Sequence, residues 1–485
     1  MSTKRKLLIA LAAVLLVLAL FIAWIWRGTP AQHTLEELSG KDPVLAEPNV
    51  EQIPSVAVAR AVGWAANEAP IGAAGLKASR FAEGLTHPRV MLTLPNGDVL
   101  VAEANAPKGN MGGGLVGAIA GLLMKRAGAV GESPDTLMLL RDADGDGTAE
   151  ARFTLRAKDG LESPSGMAWA DGKLYVANHN AVQQFDYALG ETKLAGAPKK
   201  LMDLPAAGNH WMRNLVLSAD GKEIFVAVGS ASNIGERGMD LETGRAAIWQ
   251  LDLATGKARQ YAGGMRNANG LAWNPWTGEL WSVVNERDQL GPDLVPDYLT
   301  NVPIGVHYGW PWVYWKDRQD ERVIAAAPDY FDDYVRKPQY ALGAHVAPLG
   351  LVFSTGGQRL GEGFANGAFI ARHGSWNRHP LSGYDVVFVK FDANGNPLGL
   401  PVPVLSGFLN GNGDTRGRPT WLAFDKGGAL LVSDDTAGIV WRVIAPGAAP
   451  SAGPKAVVTA RLEPQRELSA DPTARTSASF KPDQP

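Results

Sequence analysis

The stretch Asn214–Gly229, NLVLSADGKEIFVAVG, decides the fold. An apolar run meets an Asp-Gly pair and a second apolar run follows, the pattern of a β-hairpin whose turn needs positive φ. The same unit recurs on both sides. Upstream stand RVMLTLPNGDVLVAE at 89–103 and GMAWADGKLYVAN at 166–178. Downstream stand GLAWNPWTGELWSVVNE at 270–286, GLVFS with FANGAFIARHG within 350–374, and TWLAFDKGGALLVSDD at 420–435. The turn glycines are Gly97, Gly172, Gly221, Gly278, Gly367 and Gly428, and strand-like runs such as AVQQFDY, AIWQLDL, VVFVKF and GIVWRVI follow several copies. Intervals of about 50 to 90 residues leave room for a four-stranded antiparallel sheet per copy. Six such sheets set radially make an all-β, six-bladed β-propeller. A pair of β-sandwiches is the alternative, but sandwiches do not require one hairpin six times.

The composition agrees with a packed domain. Of 485 residues 46% are apolar, which excludes disorder for most of the chain. The net charge of −3 provides no basic field for nucleic acid. The chain has no cysteine, which excludes disulfides, thiolate catalysis and Cys-based metal sites.

At the N-terminus Lys4, Arg5 and Lys6 precede an apolar run from Leu7 to Trp26. About 20 residues at 1.5 Å span roughly 30 Å, a bilayer core. Trp24 and Trp26 stand at the far end, and no A-x-A cleavage site follows, so residues 1–27 read as an uncleaved transmembrane anchor, with a cleaved signal segment and an exported form as the alternative. The basic cluster stays cytoplasmic, leaving the rest in the periplasm or exterior. Residues 28–70, with several prolines, read as a linker; 71–445 as the propeller; and 446–485, rich in Ala, Pro and Ser, as a flexible tail. The run 111–131, MGGGLVGAIAGLLMKRAGAVG, breaks the blade pattern and reads as an inserted apolar helix.

In a propeller, residues just before each first strand converge on one mouth of the axial channel. Counting back from the turn glycines reaches His87, Glu162 and Ser163, His210, Arg266 and Asn267, His345, and Arg416 and Arg418. A histidine ringed by arginines predicts a compact polyanionic ligand, because guanidinium forks match carboxylates, with a neutral histidine as general base. Glu286, Asp288, Asp293 and Asp297 flank the turn Gly291–Pro292, a set of hard oxygens suited to calcium. A second run, DADGDGTAE, spaces Asp142, Asp144 and Asp146 like the start of a calcium loop, with Phe153 where the twelfth-position acid belongs.

GLTHPRVMLTLPNGDVLVAE, NHWMRNLVLSADG, RNANGLAW, NERDQLGPDLVPDYLT, YGWPW, AHVAPLGLVF, HGSWNR and GRPTWLAFDKGGALLVSDD together resemble the L-sorbosone dehydrogenase-like family. That family belongs with the soluble pyrroloquinoline quinone (PQQ)-dependent glucose and aldose sugar dehydrogenases. The resemblance runs from about Gly63 to Val443 and implies a six-bladed propeller. It implies His210 as the catalytic base. Arg266, Asn267, His345, Arg416 and Arg418 become cofactor contacts, and the carbonyls of Gly291 and Pro292 become calcium ligands. Arg378 in HGSWNRHP is the candidate for the family's fifth-blade lysine. The implied chemistry is oxidation of an aldose or a sorbosone-like aldehyde, hydride passing to the quinone while calcium polarises it. No Cys-x-x-Cys-His is present, so a separate acceptor, a quinone or a cytochrome, must take the electrons. The rival readings are a metal-dependent lactonase, fed by Glu103 and Asp435, and a non-catalytic binding propeller.

Overall fold

The computed structural model describes residues 3–27, 29–51, 55–107, 121–129, 131–206, 208–329 and 331–457, with the side chains at 8, 21–27 and 332 left out. Six antiparallel sheets succeed one another along the chain. Blade 1 is 88–93, 99–103, 136–141 and 151–157; blade 2 is 166–170, 173–177, 181–186 and 199–203; blade 3 is 215–217, 223–228, 247–252 and 258–263. Blade 4 is 267–273, 280–285, 296–301 and 340–344; blade 5 is 348–353, 367–372, 385–391 and 397–406. Blade 6 takes 419–424, 430–434 and 439–444 from the end of the domain and its outer strand, Lys77–Ala82, from the beginning. First strands touch their neighbours in a closed ring, blade 6 returning to blade 1. The six-bladed propeller expected from the hairpin repeat is the observed fold.

Local chemistry explains the hairpins. Gly97, Gly172, Gly221, Gly278 and Gly428 all have positive φ, between 68° and 100°. Gly367 differs: it begins a strand after a longer loop, and its missing side chain admits the Phe388 ring and the Val389 carbonyl of the adjacent strand. Between blades the core is aliphatic and aromatic, with Val101, Leu139, Val226, Val284, Ile370, Val432 and Trp441 fully buried.

Two segments differ from expectation. The stretch read as a linker is laid across the mouth of the propeller by backbone hydrogen bonds. Ala31 donates to His379, Glu51 to Gln289, Ala57 to Trp376 and Val62 to Thr415, and Trp64 Nε1 reaches Asp434. Ser39–Gly40 and Ile71–Gly72 extend blades 4 and 5. The tail stays on the domain as far as Val457, whose N–H meets the Trp276 carbonyl, and its remainder lies outside the described residues. Of the 111–131 insertion, 121–126 are helical; 111–120 lie outside the described residues. Thr3–Arg27 is a single helix, α1, as the apolar run predicts. Among the described residues no helix is long and apolar enough to cross a membrane; the side chains of Trp24 and Trp26 lie outside that description.

Candidate active site at the axial mouth

Every first strand starts at the same end of the ring, so the segments before it, and the loops joining second to third strands, gather there. His87, Ser163 and His345, read as equivalent positions of blades 1, 2 and 5, share left-handed backbone, with φ of 51°, 46° and 58°. Such conformations persist only where surroundings enforce them, and they cluster at functional sites.

A polar pocket of about 190 Å³ opens at this mouth, lined by His210, Arg266, Asn267, Asn285, Glu286, Asp288, Asp297, His345, Ala347, Trp376 and Asn377. The structure therefore brings His210, Arg266, Asn267 and His345 together, four of the residues singled out in the sequence. His210 is half-buried and its Nδ1 lies 2.9 Å from the Ser230 carbonyl. A carbonyl only accepts, so Nδ1 carries the hydrogen and Nε2 keeps its lone pair. Burial, reinforced by the Arg266 charge, pushes the His210 pKa down to about 3, so the ring is neutral at physiological pH. Gly229 makes this placement possible: a Cβ there would stand 2.4 Å from Asn267 Oδ1 and 2.7 Å from His210 Cβ.

His345 is held differently. Its Nε2 is 3.0 Å from the Gly291 carbonyl and its Nδ1 3.6 Å from Asp288. Burial opposes the charged ring, but Asp288 outweighs it and the pKa rises. Asp288 is reciprocally lowered: burial would raise it, and Arg266, 2.8 Å away, and His345 prevail. Asn377 Nδ2 donates to Asp288 at 2.9 Å. Asp297, buried and accepting from the Glu286 and Ala347 N–H groups, is pushed up to about 7 by burial. The two histidines of this pocket are thus driven in opposite directions.

The expected arginine ring is corrected. Arg266 alone of the four lines the pocket, and Asn233 and Asp288 already engage it. Arg378 is buried behind the pocket, satisfied by the Pro292 and His33 carbonyls and Asp293. Arg416 donates to Gly407 and lies over Trp64 and near Glu68, partners that the N-terminal strap supplies. Arg418 is pinned by the His373 and Gly374 carbonyls and lies over Tyr384. The Gly291 and Pro292 carbonyls, expected to face a metal, each accept from a basic side chain, His345 and Arg378; Gly291 accepts from the Leu294 N–H as well, so only Pro292 retains a lone pair.

Sequence reasoning missed Asn285, Trp376 and Asn377, and a second charged cluster beside the pocket. There Arg89 pairs with Asp435, whose carboxylate also meets His373 Nε2 at 3.1 Å, and Arg89 lies over the Trp211 ring. The segment HGSWN, quoted only for its likeness, contributes to both: His373 to the cluster, Trp376 and Asn377 to the pocket. The acidic turn at 142–146 does gather carboxylates, with Glu150 completing the group in place of a twelfth-position acid. Among the described residues no comparable grouping of three acidic or histidine ligands occurs at the mouth.

This propeller fold is shared with solved sugar dehydrogenase structures. The chain belongs to the TrAA12-like family, which matches residues 135–300 and 329–446. A pyrroloquinoline quinone-dependent sugar dehydrogenase of Hypocrea jecorina is 25% identical over 425 residues, 77% of this chain and 89% of that one. The calcium structure of Trichoderma reesei Carbohydrate-Active Enzymes Family AA12 superposes with a TM-score of 0.62 at 22% identity, covering 77% and 96%. The holo form of the pyranose dehydrogenase PQQ domain from Coprinopsis cinerea gives 0.60 at 20% identity, covering 80% and 100%.

Proposed function

We propose that this protein is a PQQ-dependent dehydrogenase that oxidises an aldose sugar or a sugar-derived, sorbosone-like aldehyde. The observation that carries the reading is His210, held as the neutral Nδ1–H tautomer with Nε2 free beside the pocket. The donor set suits calcium with a carboxylated quinone. Glu286, Asp288 and Asp297 are hard anionic oxygens, and Asn377 Oδ1 is buried without a partner. Such an acidic wall repels a tricarboxylate unless a divalent cation stands between them, so quinone binding should require calcium. Asp288, Asn377 Oδ1 and the remaining lone pair of the Pro292 carbonyl are the proposed calcium ligands; the Gly291 carbonyl would have to release the Leu294 N–H to join them. Arg266, Asn267, His345 and exposed Trp376 supply donors and a flat ring for the quinone, with Arg89 and Arg418 as the neighbouring cations.

When bound, the quinone supplies a two-electron acceptor and calcium the Lewis acid that polarises it. The protein's own part is to place the substrate hydroxyl against His210 Nε2. That nitrogen takes the proton as the carbon gives up hydride, and the Ser230 carbonyl stabilises the imidazolium that forms. A sugar reaches this face from the loop side, and electrons leave to a separate quinone or cytochrome. We also propose that α1 anchors the chain in the inner membrane with the propeller on the periplasmic or outer side, its basic residues Lys4, Arg5 and Lys6 remaining inside.

The test is reconstitution of the purified protein with PQQ and calcium, followed by dye reduction with a panel of aldoses. Sugar-dependent bleaching that a chelator abolishes supports the proposal. Lactone hydrolysis without quinone, or neither activity despite bound quinone, overturns it.

A further inference from the structure

We propose that the site-bearing mouth of the propeller seats on the lipid bilayer, along the rim formed by blades 1, 5 and 6. This rests on the reading of α1 as an anchor. The first argument is slack. One residue separates Arg27, the end of α1, from Thr29, whose N–H meets Ser55 Oγ at 3.0 Å. Pro30 then pairs with His379, and the Gln32 and His33 N–H groups both reach Asp293. At 3.8 Å per residue, about 8 Å of chain separates the anchor from loops of blades 4 and 5 at the mouth. A helix in the bilayer therefore holds that end of the propeller at the lipid surface and turns the hairpin end away.

The second argument is the chemistry of the rim. Val62, Leu122, Met124 and Trp376 are 47%, 68%, 45% and 42% exposed, although they stand on a packed domain. One run of the strap ties them together: Ala57 donates to the Trp376 carbonyl, Ala61 to that of Arg126 and Val62 to that of Thr415, while Arg126 Nε returns to Val58. Lys125 and Arg126 are exposed beside them. Apolar side chains flanked by basic ones, with a tryptophan at the edge, match the interface of an anionic phospholipid bilayer.

The chain has no cysteine, so single spin labels report depth without background. Leu15→Cys labels the anchor, Met124→Cys the rim, and Asp220→Cys the opposite hairpin end, each in the full chain in phosphatidylglycerol-containing vesicles. The expected result is a several-fold higher ratio of oxygen to aqueous nickel-chelate collisions at 15 and at 124 than at 220. A lipid-buried label at 15 with equal ratios at 124 and 220 overturns the seat while leaving the anchor standing. A water-exposed label at 15 overturns the anchor and the seat with it.

Discussion

At the scale of single residues, function turns on how His210 is kept neutral and aimed. His210→Gln preserves the ring's volume approximately and removes the basic nitrogen. Quinone binding, followed by absorbance, should persist while turnover falls about 10²–10⁴-fold. The pH dependence carries a sign. An unfolded histidine takes its proton near pH 6.5, whereas half-buried His210, beside the Arg266 charge, resists until about pH 3. As pH falls through that window the unfolded chain binds the extra proton, so wild type loses stability that His210→Gln does not lose; denaturant titrations at pH 7 and pH 4.5 check this. His210 should correspondingly add no acid limb near pH 6.5, so a limb near pH 7 belongs to Asp297, pushed up to about 7, and not to His210. Gly229→Ala tests the placement separately: its Cβ meets Asn267 Oδ1 and His210 Cβ, and the backbone φ there is not left-handed, so the strain falls on the site. At least a tenfold loss of turnover with a nearly unchanged melting temperature is expected; unaltered turnover would show that His210 does not need this cradle. His210, Arg266, Asn267 and His345 were legible because a propeller repeats one topological position. Arg378, Arg416 and Arg418 were misplaced because a sequence shows where a guanidinium starts, not which carbonyls will hold it.

Among the elements, blade 6 and the strap meet at Asp434. Its buried carboxylate accepts from the Arg418 and Ala437 N–H groups and from the indoles of Trp64 and Trp441. Gly417 leaves the room for it, since a Cβ there would stand 1.8 Å from Asp434 Oδ2. Asp434→Asn replaces one acceptor oxygen by a donor facing N–H groups, at an expected cost of about 2–3 kcal/mol read from denaturant unfolding. Fluorescence of Trp64 should shift as the strap loosens; a variant as stable as wild type would show that the strap is held elsewhere. This hub was not legible beforehand. Hairpins announce themselves through side-chain alternation and turn glycines, whereas the strap binds through backbone N–H and C=O groups that every residue carries. Its prolines and lack of period therefore read as a linker. Gly367 misled for the related reason that an Asn-Gly pair at 366–367 lies at the end of a loop and not at its apex.

For the whole molecule the decisive feature is closure. The ring is completed only when Lys77–Ala82 pairs with Ile439–Ile444, and the register sets Lys77 opposite Ile444. Those two residues could be joined by a tight turn, since antiparallel neighbours in register are what a two-residue hairpin loop connects. A permuted chain starting at Glu83, running to Ile444 and returning through Asn-Gly into residues 77–82 should fold cooperatively and retain the His210 pocket. Simple removal of residues 1–82 should not. It leaves the edge of 439–444 unpaired beside Val440, Trp441 and Val443, all fully buried in the closed ring, and an apolar open edge promotes aggregation. Circular dichroism and sedimentation distinguish the outcomes. If the shortened chain remains monomeric and melts sharply, closure by the N-terminal strand is dispensable. If the permuted chain folds but the shortened one does not, the ring depends on the strand being present and not on the segment that delivers it. The strap's hold on Trp376, and through it the pocket's edge, can then be measured by adding back residues 29–76.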